Sequence, residues 1–216
     1  MKRGFTIAEV LITLGIIGVI AAMTLPGAIA SHRSKTLEAQ FKKRYSELSQ
    51  VLLKLQDDQE YIYGLYWTDM LAHFLASNIK GAVAPMRHIY IQAQTTQKRE
   101  LGYSLPVYKN YSQTAEFPDG RLDDGFVAVN KECFILFNAD NFVTDNITIY
   151  IDINGLQKPN VFGYDVFAFK FDRDMALKVW EENDDLCDIK STHAANGLSC
   201  SSYAMNDANY FKNLGW

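Results

Sequence analysis

Two hydrophobic rhythms follow one another along the first quarter of the chain. From Phe5 to Leu25 the sequence FTIAEVLITLGIIGVIAAMTL is apolar throughout except for hydroxyls and one carboxylate, Glu9. As a helix, this stretch of 21 residues reaches roughly 32 Å, about the thickness of a bilayer's hydrocarbon core. Beyond Pro26-Gly27 the pattern changes. Leu37, Phe41, Tyr45, Leu48, Leu52 and Leu55 recur at steps of three or four, with Lys35, Glu38, Lys42, Lys43, Glu47 and Lys54 on the other faces. That spacing predicts a single long helix to about Gln56, membrane-spanning over 5–26 and amphipathic over 27–56. Pro26 removes one backbone hydrogen bond and should loosen the join. The amphipathic half lacks a consistent a/d heptad, so its stripe is expected on a sheet rather than in a free coiled coil.

The remainder, 57–216, reads as one folded head. Tyr63 to Ala76 predicts a short amphipathic helix and His88 to Gln92 a short strand, amid prolines and glycines. Gly125–Val129 and Cys133–Phe137 read as strands of a hairpin joined through Asn130-Lys131-Glu132. Ile147–Ile153 and Asp165–Phe171 alternate as further strands, which together predict an antiparallel sheet of three or four strands laid on the long helix. Met175 to Glu182 predicts a short helix. Cys133, inside the apolar run ECFILF, reads as a buried thiol.

Charge and composition narrow the function. The chain of 216 residues is 48% hydrophobic and carries a formal charge of −4, enough apolar material for one soluble core once the anchor is set aside. Arg87, Lys98, Arg99, Lys109 and Arg121 are too dispersed to form a basic stripe, so no nucleic-acid partner is asserted. No nucleophile elbow, HExxH or P-loop occurs, so no enzymatic activity is expected. His32, His73, His88 and His193 stand in unlike contexts and read as surface or structural residues. Asn110-Tyr-Ser112 and Asn146-Ile-Thr148 match the glycosylation sequon by pattern alone.

A carboxylate inside a membrane span costs on the order of 2.5–3.5 kcal/mol at mid-bilayer, so Glu9 needs a partner. The segment therefore reads as an anchor that also assembles. Lys2 and Arg3 precede it and place the chain beyond Pro26 outside the membrane, although His32, Arg33, Lys35, Lys42, Lys43 and Arg44 past the span weaken that asymmetry. An uncleaved signal anchor, with Glu9 snorkelling to the interface, is the alternative. The apolar run is too long for an ordinary secretory signal, and Ala21-Ala22 and Ala28-Ile29-Ala30 are weak cleavage sites.

Gly4-Phe5-Thr6 with Glu9 and Pro26 resembles the processing signal of type IV pilins and type II secretion pseudopilins. The resemblance covers about thirty residues, with leader, glycine, phenylalanine, glutamate and proline in register. It implies that prepilin peptidase cuts between Gly4 and Phe5, removing residues 1–4 and methylating the new amino terminus of Phe5. Glu9 would then face the freed amine of Phe5 in a staggered neighbour, a pairing that low dielectric tolerates where either charge alone is costly. The implied fold is α+β and pilin-like: a long N-terminal helix on a small antiparallel sheet, with a C-terminal disulfide loop. The implied location is the bacterial inner membrane, single-pass with the head in the periplasm, and then a filament or the cell surface. The implied partners are prepilin peptidase, other pilin or pseudopilin subunits in a helical filament, the inner-membrane assembly platform, and membrane lipid.

Two segments of the head carry further expectations. Cys187 and Cys200 enclose CDIKSTHAANGLSC, which resembles the D-region of type IV pilins and implies a disulfide; a zinc site using Cys187, His193 and Cys200 is the alternative, though it lacks a fourth ligand. The stretch DINGLQKPNVFGYDVFAF is similar to a pattern in pseudopilin-like proteins. Asp152, Asn154, Asn160 and Asp165 within it supply oxygen ligands for calcium, but their spacing is not that of an EF-hand and Asn-Gly is a turn pair in its own right. No cofactor is expected, with calcium as the alternative. Asp119, Asp123 and Asp124 read as a solvated acidic loop. Tyr210, Phe211 and Trp216 form an aromatic tail that either packs on the head or meets a partner. The expected function is a structural filament subunit of a secretion pseudopilus or a pilus; the alternative is a minor pilin acting as a binding module in adhesion or DNA uptake.

Overall fold

A computed structural model of the chain describes residues 6–57, 67–84, 105–122, 125–139, 147–171, 176–181 and 183–215. Gly4, Phe5, His88–Gln92, Asp123, Asp124, Asn146 and Trp216 lie outside them, and so do the expectations placed on those residues.

Helix α1 runs from Ile7 to Asp57 without interruption at Pro26. Its 51 residues extend roughly 76 Å. Residues 7–29 are almost entirely exposed, with Ile7 at 81% and Met23 at 78%, and they form one segment long and apolar enough to cross a membrane. Packing begins at Ser34. From there Leu37, Phe41, Leu48, Leu52 and Leu55 are buried in the head, so the stripe of apolar positions does lie on a sheet.

That sheet has six strands, not three or four: β1 (Ala82–Val83), β2 (Phe126–Val129), β3 (Cys133–Ala139), β4 (Ile147–Asp152), β5 (Val166–Phe171) and β6 (Leu177–Val179), in sequential antiparallel order. Helix α2 (Trp67–Asn78) precedes β1. The β2–β3 hairpin turns through three residues, Asn130-Lys131-Glu132, between the paired Val129 and Cys133; Asn130 and Lys131 are both at positive φ (50° and 64°), and the Glu132 N–H closes the turn on the Val129 carbonyl at 2.9 Å. Within the helix expected over Met175–Glu182, whose two end residues lie outside the described ones, Leu177–Val179 form β6 instead, pairing Leu177 with Phe171 and Val179 with Phe169. Local helix preference is a weak prior, and here it yields to a ladder that covers the β5 edge.

The sheet is buried on both faces. On the first, Val127, Ile135, Ile151 and Phe167 stand in one cross-strand row against α1. Phe41 is the centre of this layer, its ring 4.5 Å from Phe167 and 5.5 Å from Phe211. Tyr210 and Phe211 close the layer, so at least this part of the aromatic tail packs on the head. Arg44, also buried, reaches Glu47 at 2.9 Å and Glu132 at 3.8 Å and ties α1 to the β2–β3 turn. On the second face Phe134, Leu136, Tyr150, Val166 and Ala168 are covered by Tyr108, Phe117, Phe162, Ala195 and Leu198. Phe117 stacks on Phe162 with centroids 3.7 Å apart. Double burial explains why β4 is buried at every position despite its alternating sequence.

Candidate functional site

The start of α1 is held by its own side chains. The amide N–H of Thr6 donates to Glu9 Oε2 at 2.8 Å, the Thr6 hydroxyl donates to the same oxygen at 2.7 Å, and the Glu9 N–H donates to Thr6 Oγ1 at 3.3 Å. This is a capping box, in which the first residues satisfy helix-start N–H groups that have no partner within the helix. Within one copy, then, the carboxylate of Glu9 has Thr6 as its partner. Thr6-x-x-Glu9 is the sequence signature of that box, and attention to the Phe5 amine alone overlooks it.

The other polar groups of the span are satisfied along the helix. Thr13 and Thr24 donate their hydroxyls to the carbonyls of Val10 and Ile20, each at 2.9 Å. Gly15, Gly18 and Gly27 meet nothing within 4 Å where a Cβ would stand. Glycine in a helix interior costs up to about 1 kcal/mol relative to alanine, and the packing of this copy supplies no reason for it at these positions.

In the head, the loop between β4 and β5 gathers the four residues proposed as calcium ligands. Asp152 Oδ1 accepts from the N–H groups of Asn154 (3.2 Å) and Gly155 (2.7 Å), and its Oδ2 accepts from the Tyr108 hydroxyl (2.9 Å). Asp165 accepts from the N–H groups of Asn160 (2.8 Å) and Val161 (2.7 Å). With its amide turned to suit its neighbours, Asn160 donates to the carbonyls of Gln157 (3.0 Å) and Gly155 (3.2 Å). Every carboxylate oxygen of the pair thus already accepts at least one hydrogen bond from the chain itself. Asn154 Oδ1 is buried without a hydrogen-bond partner among the described residues. Gly155, at φ +66°, lies so close to the Lys131 carbonyl that a Cβ would strike it. The motif is a knot that ties the loop to the β2–β3 turn and to the segment around Tyr108.

Burial dominates the titration of this knot. Both carboxylates are fully buried. Removal from water raises Asp165 from the ordinary 3.8 to about 6, against the lowering effect of its N–H donors. Asp152 is raised well above the ordinary value, first by burial and then by the charge of Asp165. Burial and the charge of Asp152 likewise raise the Tyr108 hydroxyl. Cys133 is a free buried thiol, also pushed up by burial.

Cys187 and Cys200 form a disulfide, which removes both from any zinc site. The loop between them is organised by Asn196, fully buried, whose amide donates to the carbonyls of Asp188 (2.8 Å) and Ser191 (3.0 Å). Cys200 begins helix α3 (Cys200–Asn206). The Tyr210 hydroxyl donates to the Gly163 carbonyl at 2.7 Å and connects this region to the knot. Asn110 is also fully buried, with its amide committed to Thr114 Oγ1 and the His193 carbonyl; its sequon is closed to modification in the folded head. His32, His73 and His193 are exposed and far apart in sequence. Among the described residues no group of three or more His, Cys, Asp and Glu side chains is placed to hold a metal ion.

No family model, curated protein or solved structure matches the chain.

Proposed function

We propose that the chain is a pilin-like structural subunit, processed by prepilin peptidase between Gly4 and Phe5 and assembled into a type II secretion pseudopilus or a type IV pilus. The observation that carries this reading is the register of the start: a basic leader, Gly4-Phe5, Glu9 and Pro26, on an apolar helix that stands clear of its own head. Within one copy Glu9 caps the start of the helix, but no contact there requires the glycines of the span, and close packing of neighbouring helices accounts for them.

The mechanism is mechanical. Residues 1–4 hold the chain on the cytoplasmic side of the inner membrane, the span keeps the subunit in the bilayer, and the head waits in the periplasm. In a single copy Thr6 occupies Glu9. On assembly the methylated amine of Phe5 in a staggered neighbour takes over, because a buried charge pair is tolerated where a lone buried charge is not. An inner-membrane platform supplies the work of extraction. The alternative, a minor pilin binding DNA, is disfavoured by charge: residues 58–216 hold 13 Lys/Arg against 21 Asp/Glu, the wrong sign for phosphate contacts.

Intact-mass analysis of the membrane-purified protein, with and without the peptidase, tests the reading. The expected mature form begins at methylated Phe5. A Gly4→Ala variant should stay uncut, and a Glu9→Val variant should be cut but assemble poorly. A mature protein still beginning at Met1, or normal processing of Gly4→Ala, refutes it.

A further inference from the structure

The charge of this chain is divided between two surfaces. Residues 30–57 carry six Lys/Arg against three Asp/Glu, the reverse of the balance in 58–216. At about 100° per residue, His32, Lys35, Lys42 and Lys43 fall on the side of α1 opposite Leu37 and Phe41, and all four are exposed. Lys42 pairs with Glu38 of the same helix at 2.6 Å, whereas Lys35 and Lys43 have no ion pair among the described residues. No described part of the head covers this face.

The opposite charge is concentrated at the start of the disulfide loop. The stretch EENDDLCD, 181–188, has five acidic residues in eight; Glu181, Asp185 and Asp188 are exposed, and Glu181 also pairs with Lys170 of its own chain at 3.3 Å. Leu186, in its middle, packs with the cluster on the second face of the sheet and its neighbour Cys187 with the cluster on the first, so the segment lies along the sheet's edge beyond β6. The basic face of α1 looks outward from the first face. Within one copy no ion pair among the described residues joins the two patches.

We infer that the exposed basic face of α1 receives the acidic 181–188 segment of a second copy of this chain. Two different complementary patches on one subunit make a heterologous contact, which propagates into an open assembly unless its rotation happens to close a ring. The inference rests on the filament reading above and adds which surfaces of the heads meet. Exposed ion pairs are individually weak and are screened beyond roughly 8 Å at physiological salt. Their part is to fix orientation and to reject wrong placements, while the apolar helices supply affinity.

The test uses the full mature chain in vesicles of neutral phosphatidylcholine, with association followed by energy transfer between labelled copies. A carbodiimide, which joins amines to carboxylates in contact, maps the interface. Four proteins are compared: wild type, Lys35→Glu with Lys43→Glu, Glu181→Lys with Asp185→Lys, and all four changes together. Each double reversal should weaken association roughly tenfold at low salt, since it replaces two attractions by two repulsions, and the quadruple variant should recover it. Cross-links in the wild type should join Lys35 or Lys43 to the 181–188 segment. Association that both double reversals leave unchanged would overturn the inference alone, provided it still depends on Glu9. A quadruple variant as weak as the lysine double variant would also overturn it, and would assign those lysines to lipid or to another protein. Wild-type copies that never associate would sink the filament reading as well.

Discussion

Raising the pH should destabilise the head through Asp165, against the usual behaviour of a carboxylate. Below about pH 3.8 the residue is protonated in both folded and unfolded chains and contributes nothing to the difference. Between 3.8 and about 6 the folded chain keeps its proton while the unfolded chain loses it, so stability falls as pH rises. Above that range the penalty from Asp165 is constant. The two units between those values correspond to about 3 kcal/mol. Asp152, raised well above its ordinary value by burial and by the charge of Asp165, extends the fall to higher pH. The comparison that isolates Asp165 is with Asp165→Asn, which is neutral, nearly isosteric and does not titrate. Urea unfolding of the full chain in detergent micelles, followed by near-ultraviolet circular dichroism from pH 4 to 7, gives the difference in free energy. Relative to its difference at pH 4, the variant should gain about 2 kcal/mol on the wild type by pH 6.5, most of the remaining change lying below pH 4. A difference that stays flat with pH, or a wild type that gains on the variant as pH rises, would show that the N–H donors outweigh the desolvation of this carboxylate.

Phe41→Ala should cost about 3–5 kcal/mol in the same unfolding measurement, because it removes the ring shared by Phe167 and Phe211 at the centre of the first layer; a loss below about 1 kcal/mol would mean that α1 is not seated on the sheet through this residue. Cys187→Ser with Cys200→Ser should cost about 3 kcal/mol if opening a loop of this length chiefly frees the unfolded chain. An unchanged urea midpoint would show that Asn196 and its carbonyl partners hold the loop without the covalent link.

Legibility in the sequence tracks the range of the interactions involved. The stripe from Leu37 to Leu55 and the Asn130-Lys131 turn are decided by neighbours a few residues away, and both are found where the pattern puts them. The pairing of Cys187 with Cys200 is present in the structure, and it is implied by resemblance rather than by spacing. The edge strands β1 and β6 are too short for any period to register. The cover on the second face is irregular, and its burial depends on contacts such as Tyr108 with Asp152, 44 positions apart. For the same reason ITIYID reads as one-sided although both of its faces are enclosed. The four calcium candidates do belong to one loop, but a one-dimensional pattern does not reveal that their carboxylate oxygens face N–H groups. Nor does the missing donor of Pro26 break the helix; α1 runs through it.

The sequential meander has a consequence for the order in which the head can form. Each strand pairs with the one just before it, so a chain delivered from its amino terminus can add strands one at a time to an edge already in place. The first layer is different, because Phe41 waits for Phe211, 170 positions later, to close over it. Until that residue arrives, the growing sheet offers an unsealed apolar wall beside α1. The Tyr210-Phe211 segment is therefore the one that seals this wall, and the Tyr210–Gly163 hydrogen bond is the latch that secures it.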